Sequence, residues 1–167
     1  QAKTEGAVRD SVRDYAGLKG TTILFAAASS ADGADIQVYP EDSVVLGVLK
    51  DFGLVPAPAM AKVRREGRAT GGQKSPVSYV WPHERAGELS ADILVASVSP
   101  DDMADLRVGG KIPALSTARQ PSLFYAAGIE DQALRSGSAL AVAWAGRNIV
   151  PELAKAANYE RQRSAGK

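Results

Sequence analysis

The sequence predicts an α/β fold: a three-layer sandwich with a mostly parallel central sheet and helices on both faces. Three observations carry this. Residues 21–30, 91–99 and 138–144 are short, nearly continuous apolar runs, the pattern of strands covered on both sides. Between them lie segments with apolar residues at helical spacing. Helix starts and stops punctuate the alternation, such as Ser43 before an apolar stretch and Gly53 after it.

Taken in order, residues 4–16 read as a helix with a narrow stripe of Val8, Val12 and Tyr15. Thr4 suits a cap, and Glu5 with Arg9 forms a favourable i,i+4 pair. Residues 21–30 are the first buried strand, and residues 35–39 alternate and read as extended. The cluster Pro40-Glu41-Asp42-Ser43 opens a helix that stops at Gly53. Prolines 56 and 58 and a basic stretch follow, and residues 69–76 read as a mobile loop. Residues 76–80 form a short strand and 82–90 a short helix with proline first. Residues 91–99 are the second buried strand, and residues 100–106 open a helix. Residues 109–122 are irregular, and the stretch 123–137 contains a helix ending at Gly137. Residues 138–144 are the third strand. A helix with Pro151 in its first turn closes the fold, and residues 161–167 form a flexible tail. In such a sheet ligands sit at the carboxyl ends of the strands, which places loops 26–34, 97–102 and 144–148 at a site.

The 167 residues suffice for one domain, and 45% apolar and 23% charged residues fit a chain that buries a core. Twenty Lys and Arg against nineteen Asp and Glu give a net charge of +1, less basic than a dedicated nucleic-acid binder. There is no cysteine, so no disulfide, thiolate metal site or cysteine nucleophile. The single histidine, His83, leaves little room for zinc catalysis or a serine triad. No apolar run reaches the length of a membrane span. The chain opens on Gln1 and Ala2 without a basic segment and apolar stretch, as expected of a processed protein or an excised fragment.

Motifs for chemistry are sparse. There is no P-loop, nucleophile elbow or G-x-G-x-x-G, and Gly71-Gly72 and Gly109-Gly110 lack the strand-before, helix-after context of a phosphate cradle. Residues 62–74 hold five cations against Glu66, a local charge of +4. That stretch is either a solvated basic loop or an attractor of an anionic ligand. Trp81-Pro82-His83-Glu84 has two readings. It is a helix start with Trp81 in the core, or an aromatic wall with Glu84 projecting to a partner. His83 itself suits a surface position. Trp144 stands at the expected carboxyl end of the third strand, flanked by small and polar residues, with Asn148 as a helix cap.

The order of pieces resembles a known family. The segments LKGTTILFAAASS, DIQVYPEDSVVLGVLKDFGL, SYVWPHERAGELSADILVASV and ALRSGSALAVAWAGRN, then a terminal helix, are similar to the carboxyl-terminal lobe of class III periplasmic substrate-binding proteins. These serve ABC importers of ferric siderophores, ferric dicitrate, haem and cobalamin. Pro82-His83-Glu84 stands for the family's serine-x-glutamate, and residues 90–95 for its "A-D-v-i-v" strand. Residues 133–142 resemble "A-v-r-x-g-r-v-y-x-v", and residues 144–148 the "W-x-G-g-p" helix start. The loop 97–101 holds no arginine, where siderophore binders often place one.

The resemblance implies capture of an iron–siderophore-type ligand between two lobes, without catalysis, cofactor or protein-bound metal. It implies a periplasmic or extracytoplasmic location, with a membrane anchor outside this chain. Residues 1–17 would end the interlobe helix and 18–160 form the lobe. Ser29, Ser30, Tyr39, Tyr79, Trp81 and Trp144 would line the cleft, with Arg147 as an anion partner. Glu84 would be the carboxylate that docks on the ABC permease. With the amino-terminal lobe missing, the first helix would expose its stripe or pair with a second copy. No nucleic-acid partner is expected. The residues themselves leave two alternatives open: a small doubly wound enzyme, such as a hydrolase or transferase, and an α/β interaction domain without ligand.

Overall fold

The computed structural model describes residues 18–29, 31, 33–72, 75–116 and 122–165. The expected first helix and Ser30 lie outside the described residues. Seven strands form one mixed sheet: β1 (Thr22–Ala27), β2 (Ile36–Val38), β3 (Val55–Pro56), β4 (Arg68–Gly72), β5 (Ser75–Trp81), β6 (Ile93–Ser97) and β7 (Ser122–Ala126). The order is β4-β5-β2-β1-β6-β7, and β3 pairs with the amino end of β1. Strands β1, β6 and β7 run parallel, whereas β2 pairs antiparallel with both β1 and β5, and β4 with β5. One half of the sheet is therefore parallel and the other antiparallel.

Helices cover both faces, as the sequence predicts. Strand pleating sends Ile23, Phe25, Ile93 and Val95 to one core and Leu24, Ala26, Leu94 and Ala96 to the other. The first core is closed by α1 (Val44–Asp51) and, beyond it, by α5 (Ile129–Ser136), α6 (Ala139–Asn148) and α7 (Val150–Ala165). The second is closed by α2 (Ala59–Glu66), a 3-10 helix (His83–Glu88), α3 (Pro100–Arg107) and the one-turn α4 (Pro113–Ser116). Ser43 caps α1 by accepting the Leu46 amide, and Ser99 caps α3 by accepting the Asp102 amide.

Three expectations are corrected. Residues 138–144 are not a strand. Ser138 accepts the Ala141 amide as an N-cap, and the alanine-rich stretch after it winds into α6 with Val142 and Ala145 facing the core. The third parallel strand is β7, where Phe124 and Ala126 face one core and Tyr125 the other. Of the loop expected over 69–76, residues 69–72 belong to edge strand β4 and 75–76 open β5. Thr70 Oγ1 lies 2.7 Å from Ser78 Oγ and accepts the Ser78 amide, and the register shifts at Gly71, whose φ of 80° suits glycine. Finally, α7 carries helix through Ala165 into the expected tail.

At the amino edge of the sheet, Asp92 binds the start of β1. Its Oδ2 accepts both the Thr22 amide and the Thr22 hydroxyl at 2.8 Å, while its own amide donates to Thr22 Oγ1 at 2.8 Å. The aspartate of the "A-D" motif thus joins the two central strands. Asp92→Ala leaves two donors without their charged acceptor and is expected to destabilise the lobe by about 2–3 kcal/mol. Urea denaturation measures this. A loss below about 0.5 kcal/mol, the scatter of ordinary surface changes, would remove the latch from the account.

Candidate functional site

The carboxyl ends of β1, β6 and β7 bring together residues 28–29, 33–35, 97–101 and 127–137. Here the structure reveals a residue that sequence reasoning missed. Arg135, on α5, reaches the end of β6. Its Nη1 donates to the Tyr39 hydroxyl at 2.8 Å, and its Nη2 to Ser97 Oγ at 3.1 Å. Its Nε donates to both carboxylate oxygens of Asp131, at 2.9 and 2.8 Å, one helical turn away. The guanidinium lies 4.6 Å from the centre of the Tyr39 ring and 5.4 Å from that of Phe25. Tyr39 in turn meets Phe25 edge-on at 5.3 Å.

Partial burial opposes the charge of Arg135, but the Tyr39 and Asp131 hydrogen bonds outweigh it and raise its pKa. The side chain remains 35% exposed. It borders a cavity of about 360 Å³ whose other walls include Tyr39, Asp42, Val44, Pro76 and Val77. The wall is mainly apolar with a few fixed polar groups, the character of a small-molecule site. Loop 97–101 holds no arginine of its own, and Arg135 reaches its Ser97 end from α5. A sequence signal existed in the Asp131/Arg135 spacing. A strand expected at 138–144 puts no sheet end beside that pair, whereas β7 does.

The other expected site residues divide. Tyr39 belongs to this cluster. Ser29 is half-buried at the end of β1, where its Oγ accepts the Ala31 amide at 3.2 Å. Tyr79 and Trp81 are corrected: the β5 pleat turns both into the second core, and Trp81 is 0% exposed. The Trp81 indole donates to the Arg85 carbonyl at 3.0 Å, and the Arg85 guanidinium covers the ring at 4.2 Å. Trp144 and Arg147 are corrected as well. Both lie on α6 and not at a strand end, Trp144 packed against the first core and Arg147 exposed in the last turn. Asn148 ends α6 and donates to the Trp144 carbonyl, so it caps no helix start.

Glu84 stands in the first turn of the 3-10 helix with its side chain 69% exposed. His83 Nδ1 lies 3.6 Å from Glu84 Oε2 and 4.0 Å from Asp35 Oδ1, with no hydrogen bond among the described residues. No group of three or more His, Asp or Glu among the described residues is arranged to hold a metal ion.

The basic stretch is a helix and a strand, and much of its charge is paired. Lys62 binds Glu88 at 2.8 Å, Arg65 binds Glu66 at 2.9 Å, and Arg64 binds Glu41. Arg85 joins Glu66 and Glu88, each at 2.7 Å, so a ladder ties the 3-10 helix to α2. Hydrogen bonds from Arg85 and Lys62 hold Glu88 down at about 2, and those from Arg85 and Arg65 lower Glu66. The unfolded chain therefore binds protons more tightly at these sites. Their contribution is complete above the ordinary glutamate value of 4.5 and is lost as pH falls towards about 2. Melting temperatures between pH 6 and 2.5 should fall less steeply in Arg85→Met than in the wild type. Parallel curves would show that the ladder does not govern acid stability.

No family model matches this sequence, and no curated protein matches it. Solved structures do match its fold. PiaA from Streptococcus pneumoniae TIGR4 in complex with ferrichrome superposes with a TM-score of 0.69 at 14% identity, covering 95% of this chain and 52% of that one. A periplasmic solute binding protein from Mycobacterium smegmatis str. MC2 155 gives 0.63 at 16% identity, covering 93% and 49%. FhuD2 from Staphylococcus aureus with bound ferrioxamine B gives 0.57 at 11% identity, covering 92% and 56%. This chain has the fold of about half of each of these proteins.

Proposed function

We propose that this chain is the carboxyl-terminal lobe of an extracytoplasmic solute-binding protein that carries an iron–siderophore-type ligand to an ABC importer. One observation carries the reading. The Arg135–Tyr39–Ser97 cluster stands at the carboxyl edge of a sheet whose fold spans half of proteins that include a ferrichrome and a ferrioxamine B complex. The ligand would lie between this edge and a second lobe, touching Arg135, Tyr39 and the loops of Ser29 and Ser97, with no catalytic step. Ferric dicitrate, haem and cobalamin belong to the same candidate set. No described helix is long and apolar enough to cross a membrane, and the anchor would lie outside this chain.

Glu84 would face the permease. Its exposure suits an ion pair with an arginine, which steers encounter more than it adds affinity. The test of the main reading is a spectroscopic binding screen of the two-lobed protein with ferric hydroxamates, ferric catecholates, ferric dicitrate, haem and cobalamin. Saturable binding of at least one is expected, and saturable binding of none would overturn the reading.

A further inference from the structure

We infer that the cargo admitted by this lobe carries no net charge or a positive one, and that polyanionic chelates are excluded. This rests on the solute-binding reading above and adds to it the charge of the cargo.

The inference follows from the charges around the cavity. Arg135 is the one cation among its described lining residues, and Asp131 already balances it. Asp42 lines the same cavity, so its described wall, with the ion pair, has a net charge of −1. The surrounding edge adds to this. Asp101 and Glu130 occupy the first turns of α3 and α5, where helix dipoles would otherwise favour a bound anion. Asp35 is 47% exposed in the turn after β1. The cations of α2 do not line this cavity, and Lys62, Arg64 and Arg65 each hold a carboxylate partner in Glu88, Glu41 and Glu66.

Arg135 can still serve a neutral ligand. A guanidinium has five N–H donors, and its bonds to Asp131, Tyr39 and Ser97 occupy three. The remaining two, one on each Nη, suit the oxygen atoms of an uncharged chelate. In a ferric tris-hydroxamate three single negative charges balance iron(III). A pendant ammonium makes the complex cationic. Three doubly charged catecholates leave a net charge of −3, which this edge repels at short range.

The test is a calorimetric titration of the two-lobed protein at two salt concentrations. The probes are ferrichrome, ferrioxamine B, which bears the pendant ammonium, and a ferric tris-catecholate. Both hydroxamates should bind at least about tenfold more tightly than the tris-catecholate, a gap of about 1.4 kcal/mol. The gap should narrow at high salt and in Asp42→Asn. Equal or tighter binding of the tris-catecholate would overturn the inference while leaving the solute-binding reading intact, as would a hydroxamate preference that neither salt nor Asp42→Asn changes. Binding of no chelate in the wider screen would overturn both.

Discussion

Trp81→Ala should destabilise the lobe by about 3–5 kcal/mol, the range for removing a large aromatic from a packed core. Trp81 is fully buried between β5 and the 3-10 helix, and its indole nitrogen donates to the Arg85 carbonyl. Removing it opens a cavity in the second core, leaves that carbonyl without its donor and takes away the ring under the Arg85 guanidinium. Trp81→Phe keeps most of the volume and loses the hydrogen bond, so a smaller cost of about 1–2 kcal/mol is expected. Urea denaturation of the lobe measures both. The competing view makes Trp81 a wall of the ligand cleft. It would win if Trp81→Ala left the urea midpoint unchanged and weakened ligand binding in the two-lobed protein.

Arg135→Met should remove most of the binding. Its two N–H groups without a partner among the described residues are charged donors at the carboxyl edge, and each hydrogen bond from a charged group contributes about 1.5–3 kcal/mol. Loss of two such bonds, about 3–6 kcal/mol, corresponds to roughly 140- to 20,000-fold in affinity. Arg135→Lys should restore only part of it, because an ammonium cannot hold Tyr39, Ser97 and Asp131 together while still facing a ligand. Arg147→Met, on the far end of α6, should leave affinity unchanged. Calorimetry on the two-lobed protein decides between the two arginines. A loss only in Arg147→Met would move the ligand contact to Arg147, and equal losses in both variants would remove the special place of Arg135.

The parallel strands β1 and β6 are readable because both are short runs, apolar on both faces and flanked by turn residues such as Gly20, Gly33 and Ser99-Pro100. Helices α1 and α3 are equally readable from Ser43 and from Ser99-Pro100. The misreadings have physical causes. Short apolar runs do not separate helix from strand, so residues 138–144 passed for β7. The Thr-Gly-Gly of β4 has low strand preference, and its extended form is imposed by pairing with β5. The site was half legible. Tyr39 and Ser29 follow from their place at strand ends. Arg135 did not, because its partners Ser97 and Tyr39 are 38 and 96 residues away in sequence. The Trp81 motif allowed a core and a cleft reading, and the pleat of β5 decides for the core.

The central claim is that the carboxyl edge of this sheet is one wall of a ligand cleft. Hydrogen–deuterium exchange of the two-lobed protein, with and without saturating ferrichrome, tests it most directly. Peptides covering residues 28–45, 97–102 and 127–137 should gain protection, the largest change falling on those that contain Tyr39 and Arg135. Peptides at the amino edge, around Thr22 and Asp92, should not change. Protection confined to the amino edge or to the outer faces of α2 and α7, with none around Arg135, would contradict the account.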